Sequence, residues 1–321
     1  MATLNAPIRH ADSESVLGQS FDYLGLAVLQ QLTERFDVLT GPMATFLGDL
    51  AGSGSDTLRI RNATGYGYAG SFTAMSSETQ AITASSVTAN YDAFTVSRNG
   101  IAYESTFQRD ALASDGITID ALAASIPQAW ASLLRSKVCT VGAAFSTNKA
   151  DAAATLDVDD LINLRAGYEE TAGYDIAVHG NPFVMLHPVQ ISQLRSSIRS
   201  ETALQMPDAF EAYQRIQSAT GLRFRFLDMD VYGSADVSLS GGDYYGFSSV
   251  RGGIGFVVAS TANIMVPTGV DAVRVPEFGL LITKSADGSQ AYNRVDANAW
   301  LGVAAASSTV APQFLMQSNA T

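Results

Sequence analysis

The chain has 321 residues, of which 47% are hydrophobic and only 16% charged, and it carries a net charge of −12. That length has room for one large domain or roughly two ordinary ones, with enough apolar residues to bury a core under a thin charged coat. An acidic balance argues against gripping nucleic acid through its phosphates, which takes clustered Lys and Arg, but it is compatible with a wall that encloses DNA without holding it.

Residues 1–20 are polar and read as an irregular arm, and Met1 to His10 lack the apolar core of a signal peptide. No run approaches the ~18 apolar residues needed to span a bilayer. The expectation is a soluble protein made in a reducing cytoplasm, without a membrane partner. An amphipathic helix follows, with Leu24, Val28, Leu32, Phe36 and Leu39 on one face and Ser20 or Asp22 as its cap. Gly41-Pro42 breaks it, and Gly52-Ser53-Gly54-Ser55 leads flexibly onward.

From Thr57 to Gln108 the sequence is extended and poor in large apolar residues. Thr57-Leu58-Arg59-Ile60-Arg61-Asn62 alternates as a half-exposed strand, and it returns through Val87 to Asp92 and Phe94 to Ser97 with a change of parity that implies a bulge. A two-stranded hairpin alone is marginal in water, so this one is expected to lean on another copy of the chain. Arg59, Arg61 and Arg98 are basic residues on this segment of an acidic chain and are candidates to meet acidic groups of a neighbour. Tyr66, Tyr68 and Phe72 are further contact candidates.

The strongest helical pattern runs from about Thr118 to Phe145, with Leu122, Ile126, Trp130, Leu133, Val141 and Phe145 in one stripe and Pro127 as a kink or restart. Such an element is on the order of 40 Å long. It carries the single cysteine, Cys139, which excludes an intrachain disulfide. Asp157 can cap a helix bearing Val158, Leu161 and Ile162, with Asp159 and Asp160 in its first turn. A buried strand, Phe183 to Leu186, runs into His187-Pro188, with Pro188 suited to the first turn of a helix carrying Ile191, Leu194 and Ile198. Another helix with Phe210, Tyr213 and Gln217 ends near Gly221, and the strand Leu222 to Phe226 follows. Gly279 to Lys284 and Ala291 to Val295 flank Asp287-Gly288, a hairpin signal. The tail stays apolar through Phe314-Leu315-Met316, which suggests burial within a larger body.

Motifs for chemistry are weak. Gly65-Tyr66-Gly67-Tyr68-Ala69-Gly70 matches a dinucleotide fingerprint but lacks the helix that must open at its third glycine. The sequon Asn62-Ala63-Thr64 lacks a secretory context. His10, His179 and His187 have no metal-type spacing; His187 beside Pro188 reads as a helix-start residue. Glu169-Glu170 and Asp228-Met229-Asp230 read as solvated carboxylates, the latter pair with metal ligation as the alternative. Neither catalytic residues nor cofactors are assigned.

The order of arm, short helix, long hairpin, spine helix, mixed α/β block and closing β segment resembles the HK97-like major capsid proteins of tailed bacteriophages. The resemblance rests on the hairpin from Thr57 to Gln108, the helix from Thr118 to Phe145, the junction Phe183 to Pro188, and the run from Leu222 through Asp228-Met229 to Asp243-Tyr244-Tyr245-Gly246. It implies an α+β capsid fold divided into an arm (1–21), helix and linker (22–56), an E-loop hairpin (57–108), a peripheral domain (109–156 and 271–321) and an axial domain (157–270). The implied function is a structural protein, not an enzyme, that self-assembles through pentamers and hexamers into an icosahedral shell around double-stranded DNA. Scaffolding, portal and decoration proteins are implied partners. An encapsulin-like compartment shell is the alternative within the fold, and a nucleotide-binding α/β enzyme using Gly65 to Gly70 is the alternative outside it. Some relatives weld their shells through an E-loop lysine, but the first lysine here is Lys137, so that bond is not expected. Nor is a long helical scaffolding segment before the spine, so a separate scaffolding protein or none is expected.

Overall fold

The computed structural model describes residues 24–32, 43–50, 55–61, 91–106, 119–171, 174, 176, 180–200, 222–268, 270–287, 292–306 and 311–320. The arm, the Gly65 to Gly70 loop, His10, His179 and the helix expected around Tyr213 lie outside them. In chain order the elements are a helix α1 over residues 24–32 and the strands β1 (Thr45–Asp49), β2 (Thr57–Arg61), β3 (Tyr91–Thr95) and β4 (Ser97–Thr106). Next come α2 (Ile119–Ala143), α3 (Val158–Glu170), β5 (Phe183–Leu186) and α4 (Pro188–Ser200). The rest is β: β6 (Leu222–Phe226), β7 (Met229–Gly233), β8 (Leu239–Ser240), β9 (Asp243–Ser249), β10 (Ile254–Val258), β11 (Asp271–Val275), β12 (Leu280–Asp287), β13 (Tyr292–Ala305) and β14 (Gln313–Asn319).

These elements form two compact units, each discontinuous in sequence. The first holds α1, β4, α2 up to Ser132, β11, β12 and β13 up to Leu301. Its sheet is antiparallel in the order β11, β12, β13, β4, with Val273 opposite Ile282, Ile282 opposite Ala297 and Asp296 opposite Ala102. Apolar spacing of four on α1 buries Leu24, Val28 and Leu32 completely or nearly so. Gly25 lies so close to Val273 that a Cβ would overlap its side chain. On α2, Leu122, Ile126 and Trp130 are buried, and the helix accommodates Pro127 without interruption. The Trp130 ring meets Phe278 edge-on at 5.3 Å, and its indole Nε1 donates to the Phe278 carbonyl at 3.1 Å.

In the second unit a sheet runs in the order β14, β9, β5, β7, β6, with β8 on β9. Only β5 and β7 are parallel among these pairs. All four residues of β5 are buried, as a continuous apolar run in a central strand requires. Around it pack α3 and α4 through Leu161, Leu164, Tyr168, Ile191 and Leu194, with Met229 and Met316 from the sheet. Tyr168 is wholly buried, and its hydroxyl pairs with the Ser248 hydroxyl at 2.8 Å, which in turn donates to the Phe183 carbonyl. From Leu133 onward α2 buries Leu134 and Val138 in place of the expected Leu133 and Val141, because 3.6 residues per turn carries the stripe around the helix after Trp130. Cys139 is buried too, which pushes its thiol up to about 12 and leaves it inert. Phe314, Leu315 and Met316 are covered by their own chain, since β14 pairs with β9 along its whole length; the burial expected from neighbours is supplied internally.

Both cap readings are seen as geometry. Asp157 accepts from the Asp160 amide while Asp160 accepts from the Asp157 amide, a reciprocal capping box. At the start of α4, His187 Nδ1 accepts from the Val189 amide and Gln190 Oε1 accepts from the His187 amide, so a histidine and a glutamine make the same device.

Candidate subunit-contact surface

Strands β2 and β3 form a two-stranded antiparallel sheet in the second unit, with Leu58 opposite Phe94 and Arg59 opposite Ala93. Alternation separates two faces. On one, Phe94 is buried and Leu58, Ile60 and Asp92 are half-buried; on the other, Arg59, Ala93 and Thr95 are exposed and Tyr91 is 55% exposed. Phe94 anchors the hairpin against β10, where a Cβ on Gly255 would crowd both Phe94 and Leu47. Nearby Phe46 on β1 meets Phe256 on β10 at 5.3 Å. The root is closed by the Val96 amide donating to the Asp56 carbonyl at 2.8 Å and by the Thr57 and Thr95 hydroxyls at 3.1 Å. Gly302 sits against the Thr95 and Val96 backbone, where a side chain would collide with main-chain atoms that cannot rotate away.

Past Val96 the chain leaves this hairpin. Ser97–Thr106, read from sequence as the hairpin's continuation, pairs instead with β13 for ten residues in the first unit. The bulge expected from the parity change between Asp92 and Phe94 is not present: Tyr91–Thr95 pairs with β2 in unbroken register, and the side chains simply alternate between a buried face at Phe94 and an exposed face at Tyr91 and Ala93. Strand β4 is exposed along most of its length, including Ile101.

The contact candidates therefore fall in different places. Arg59 is exposed on the hairpin's outer face, and Arg61 ends β2 opposite Tyr91. Arg98 is on β4, and its guanidinium donates from Nε and Nη2 to Asn298 Oδ1 at 3.0 and 2.8 Å and lies 5.8 Å from the centre of the Trp300 ring. Part of its hydrogen-bonding capacity is thus used within its own chain, and the residue remains exposed. Tyr66, Tyr68 and Phe72 lie outside the described residues. Sequence reasoning missed Tyr91 as a candidate, the most exposed aromatic among the hairpin's described residues; the alternation Tyr91, Ala93, Thr95 against Asp92 and Phe94 carries that signal.

The motifs weighed for chemistry are engaged structurally. His187 stacks on Tyr244 with ring centres 3.9 Å apart, and partial burial lowers its pKa below the ordinary value. Asp230 accepts from Arg225 Nε at 2.6 Å across the β6–β7 turn, whose corner residues Leu227 and Asp228 both have left-handed backbones. Glu169 accepts from Arg165 one helical turn away. Among the described residues no three His, Cys, Asp or Glu side chains are grouped so as to hold a metal ion, and no helix is long and apolar enough to cross a membrane.

No family model matches the chain, and none of the curated proteins matches it. Solved structures do match. The mature capsid of bacteriophage PhiM1 is similar at 13% identity and a TM-score of 0.56 over 86% of this chain and 85% of that one. The capsid of cyanophage Pam1 is similar at 12% identity and a TM-score of 0.54 over 87% and 89%, and the capsid of an empty GTA particle at 13% and 0.53 over 86% and 88%. The chain has the HK97-like capsid fold. Within that α+β fold the described strands and helices run in the order expected from the sequence, with the spine helix α2 between the hairpin and the mixed block.

Proposed function

We propose that this chain is the major capsid protein of a tailed bacteriophage, self-assembling through pentamers and hexamers into an icosahedral shell that encloses a double-stranded DNA genome. The observation that carries the reading is the extent of the likeness: more than four fifths of this chain and of each phage capsid chain superpose, so the match is to a whole shell subunit, not to a shared motif. The net charge of −12 supports a wall that contains DNA without binding it tightly.

On this reading the hairpin that begins at Thr57 is the E-loop, residues 109–156 with the β11–β13 segment are the peripheral domain, and residues 157–270 are the axial domain. Strand β14 joins the axial domain because it pairs with β9. The arm of residues 1–21 is a further contact candidate, and residues 22–56 are the helix and linker that follow it. Arg59, Arg61, Tyr66, Tyr68 and Phe72, joined by Tyr91, face an adjacent copy, while Arg98 braces β4 and has one terminal nitrogen left for a neighbour. Each contact can be an ordinary one of ~1,600 Å², because several held at once multiply into high avidity. Without a lysine in the hairpin, the copies are held by packing and hydrogen bonds. Scaffolding, portal and decoration proteins are partners of such a shell, which assembles in the host cytoplasm.

Nuclease treatment of particles purified from producing cells tests the genome-enclosing part of the reading. Duplex DNA of uniform length recovered from particles built of this chain is the expected result; particles holding only a protein cargo would overturn it in favour of a compartment.

A further inference from the structure

We propose that the loop joining β10 to β11, with Met265 at its centre, is a contact surface for a second copy of this chain; the inference rests on the shell reading above. Met265 is 96% exposed, whereas Met185, Met229 and Met316 are at most 1% exposed. Beside it Ile264 and Val266 are half-buried and Pro267 is exposed, so apolar surface continues on both sides.

The loop is fastened from within. The wholly buried Thr261 donates its hydroxyl proton to the Leu280 carbonyl at 3.1 Å, and its own carbonyl accepts from the Ile264 amide at 3.2 Å. Arg274 donates to the Ile264 carbonyl at 2.9 Å, and the Val270 amide donates to the Pro267 carbonyl. A methionine held out by so many ties is presented at little further entropic cost, the property that favours a binding surface.

Charge selects the occupant. From Gly252 to Val270 the sequence contains no Asp, Glu, Lys or Arg, on a chain of net charge −12. Two copies of that chain repel each other, so they meet at least coulombic cost where neither presents charge. The charge that reaches the loop through a hydrogen bond is that of Arg274, opposite in sign to an approaching copy. Methionine also suits a surface that must fit slightly different neighbours, as one sequence must in pentamers and hexamers, because its unbranched thioether repacks easily.

Peroxide footprinting tests this. Hydrogen peroxide transfers one oxygen atom to the methionine sulfur, giving sulfoxide and water, at a rate set by access. Unassembled subunits isolated by size exclusion and purified shells are treated alike, and sulfoxide at each methionine is followed by peptide mass spectrometry. Met265 is expected to oxidise at least ten-fold more slowly in shells than in free subunits, with Met185, Met229 and Met316 slow in both. Shells in which Met265 oxidises as fast as in free subunits would overturn this inference and leave the shell reading intact. A protein that forms no shells would overturn both.

Discussion

His187 and Gln190 show how one side chain can serve local structure and packing together. The glutamine accepts from the His187 amide to close the helix start, then uses its amide nitrogen to donate to the Met316 carbonyl and the Ser318 hydroxyl, both at 2.9 Å. It is completely buried, so Gln190→Leu strands several buried polar groups, each costing about 1–3 kcal/mol. A loss of at least about 2 kcal/mol in urea denaturation is expected. The neighbouring His187 must stay neutral at Nδ1 to accept from Val189, and partial burial lowers its pKa. The unfolded chain therefore binds the proton more readily, so this residue's contribution to stability is complete above about pH 6.5 and declines as pH falls through the histidine range. His187→Asn keeps a good N-cap without a titrating ring, and denaturation midpoints for the variant should lose part of the decline between pH 7 and pH 5.

Among the elements, the hairpin and the spine helix depend on close backbone approach. Gly302→Val would push the Thr95–Val96 backbone away from β13, so amide exchange at residues 91–95 should accelerate at least ten-fold while β5 stays protected. Gly142→Ala gains about 1 kcal/mol in helix propensity. Its new methyl, however, would overlap the Phe247 ring, which is wedged edge-on against Phe145 and Phe183 and fully buried. Overpacking of ~1–3 kcal/mol should win, and the variant should melt below the parent. What the sequence could and could not disclose follows from range. Helix starts at Asp157 and Pro188, the buried strand at Phe183 and the Asp287-Gly288 hairpin were legible because their determinants lie within a few residues. That Ser97–Thr106 pairs with β13, about 190 residues away, and that β14 completes the β9 sheet, was not, because alternation marks a strand without naming its partner. The contacts of Arg98 within its own chain were hidden for the same reason: Asn298 and Trp300 are its neighbours only through that pairing.

For the whole molecule, sequence could only nominate a contact surface, since a residue destined for a neighbour differs from a solvated one only by what meets it. Arg59 is the described basic residue on the hairpin's exposed face. Arg59→Glu should reduce shell yield several-fold while leaving the melting temperature of the free subunit unchanged, because an exposed side chain contributes little to its own fold. The proposed function of this fold is to build a shell. Negative-stain electron microscopy of the purified chain, alone and with any scaffolding partner, tests it most directly. Closed particles tens of nanometres across, the scale reached by hundreds of copies with ordinary interfaces, are the predicted result; a chain that remains monomeric under every assembly condition would contradict it.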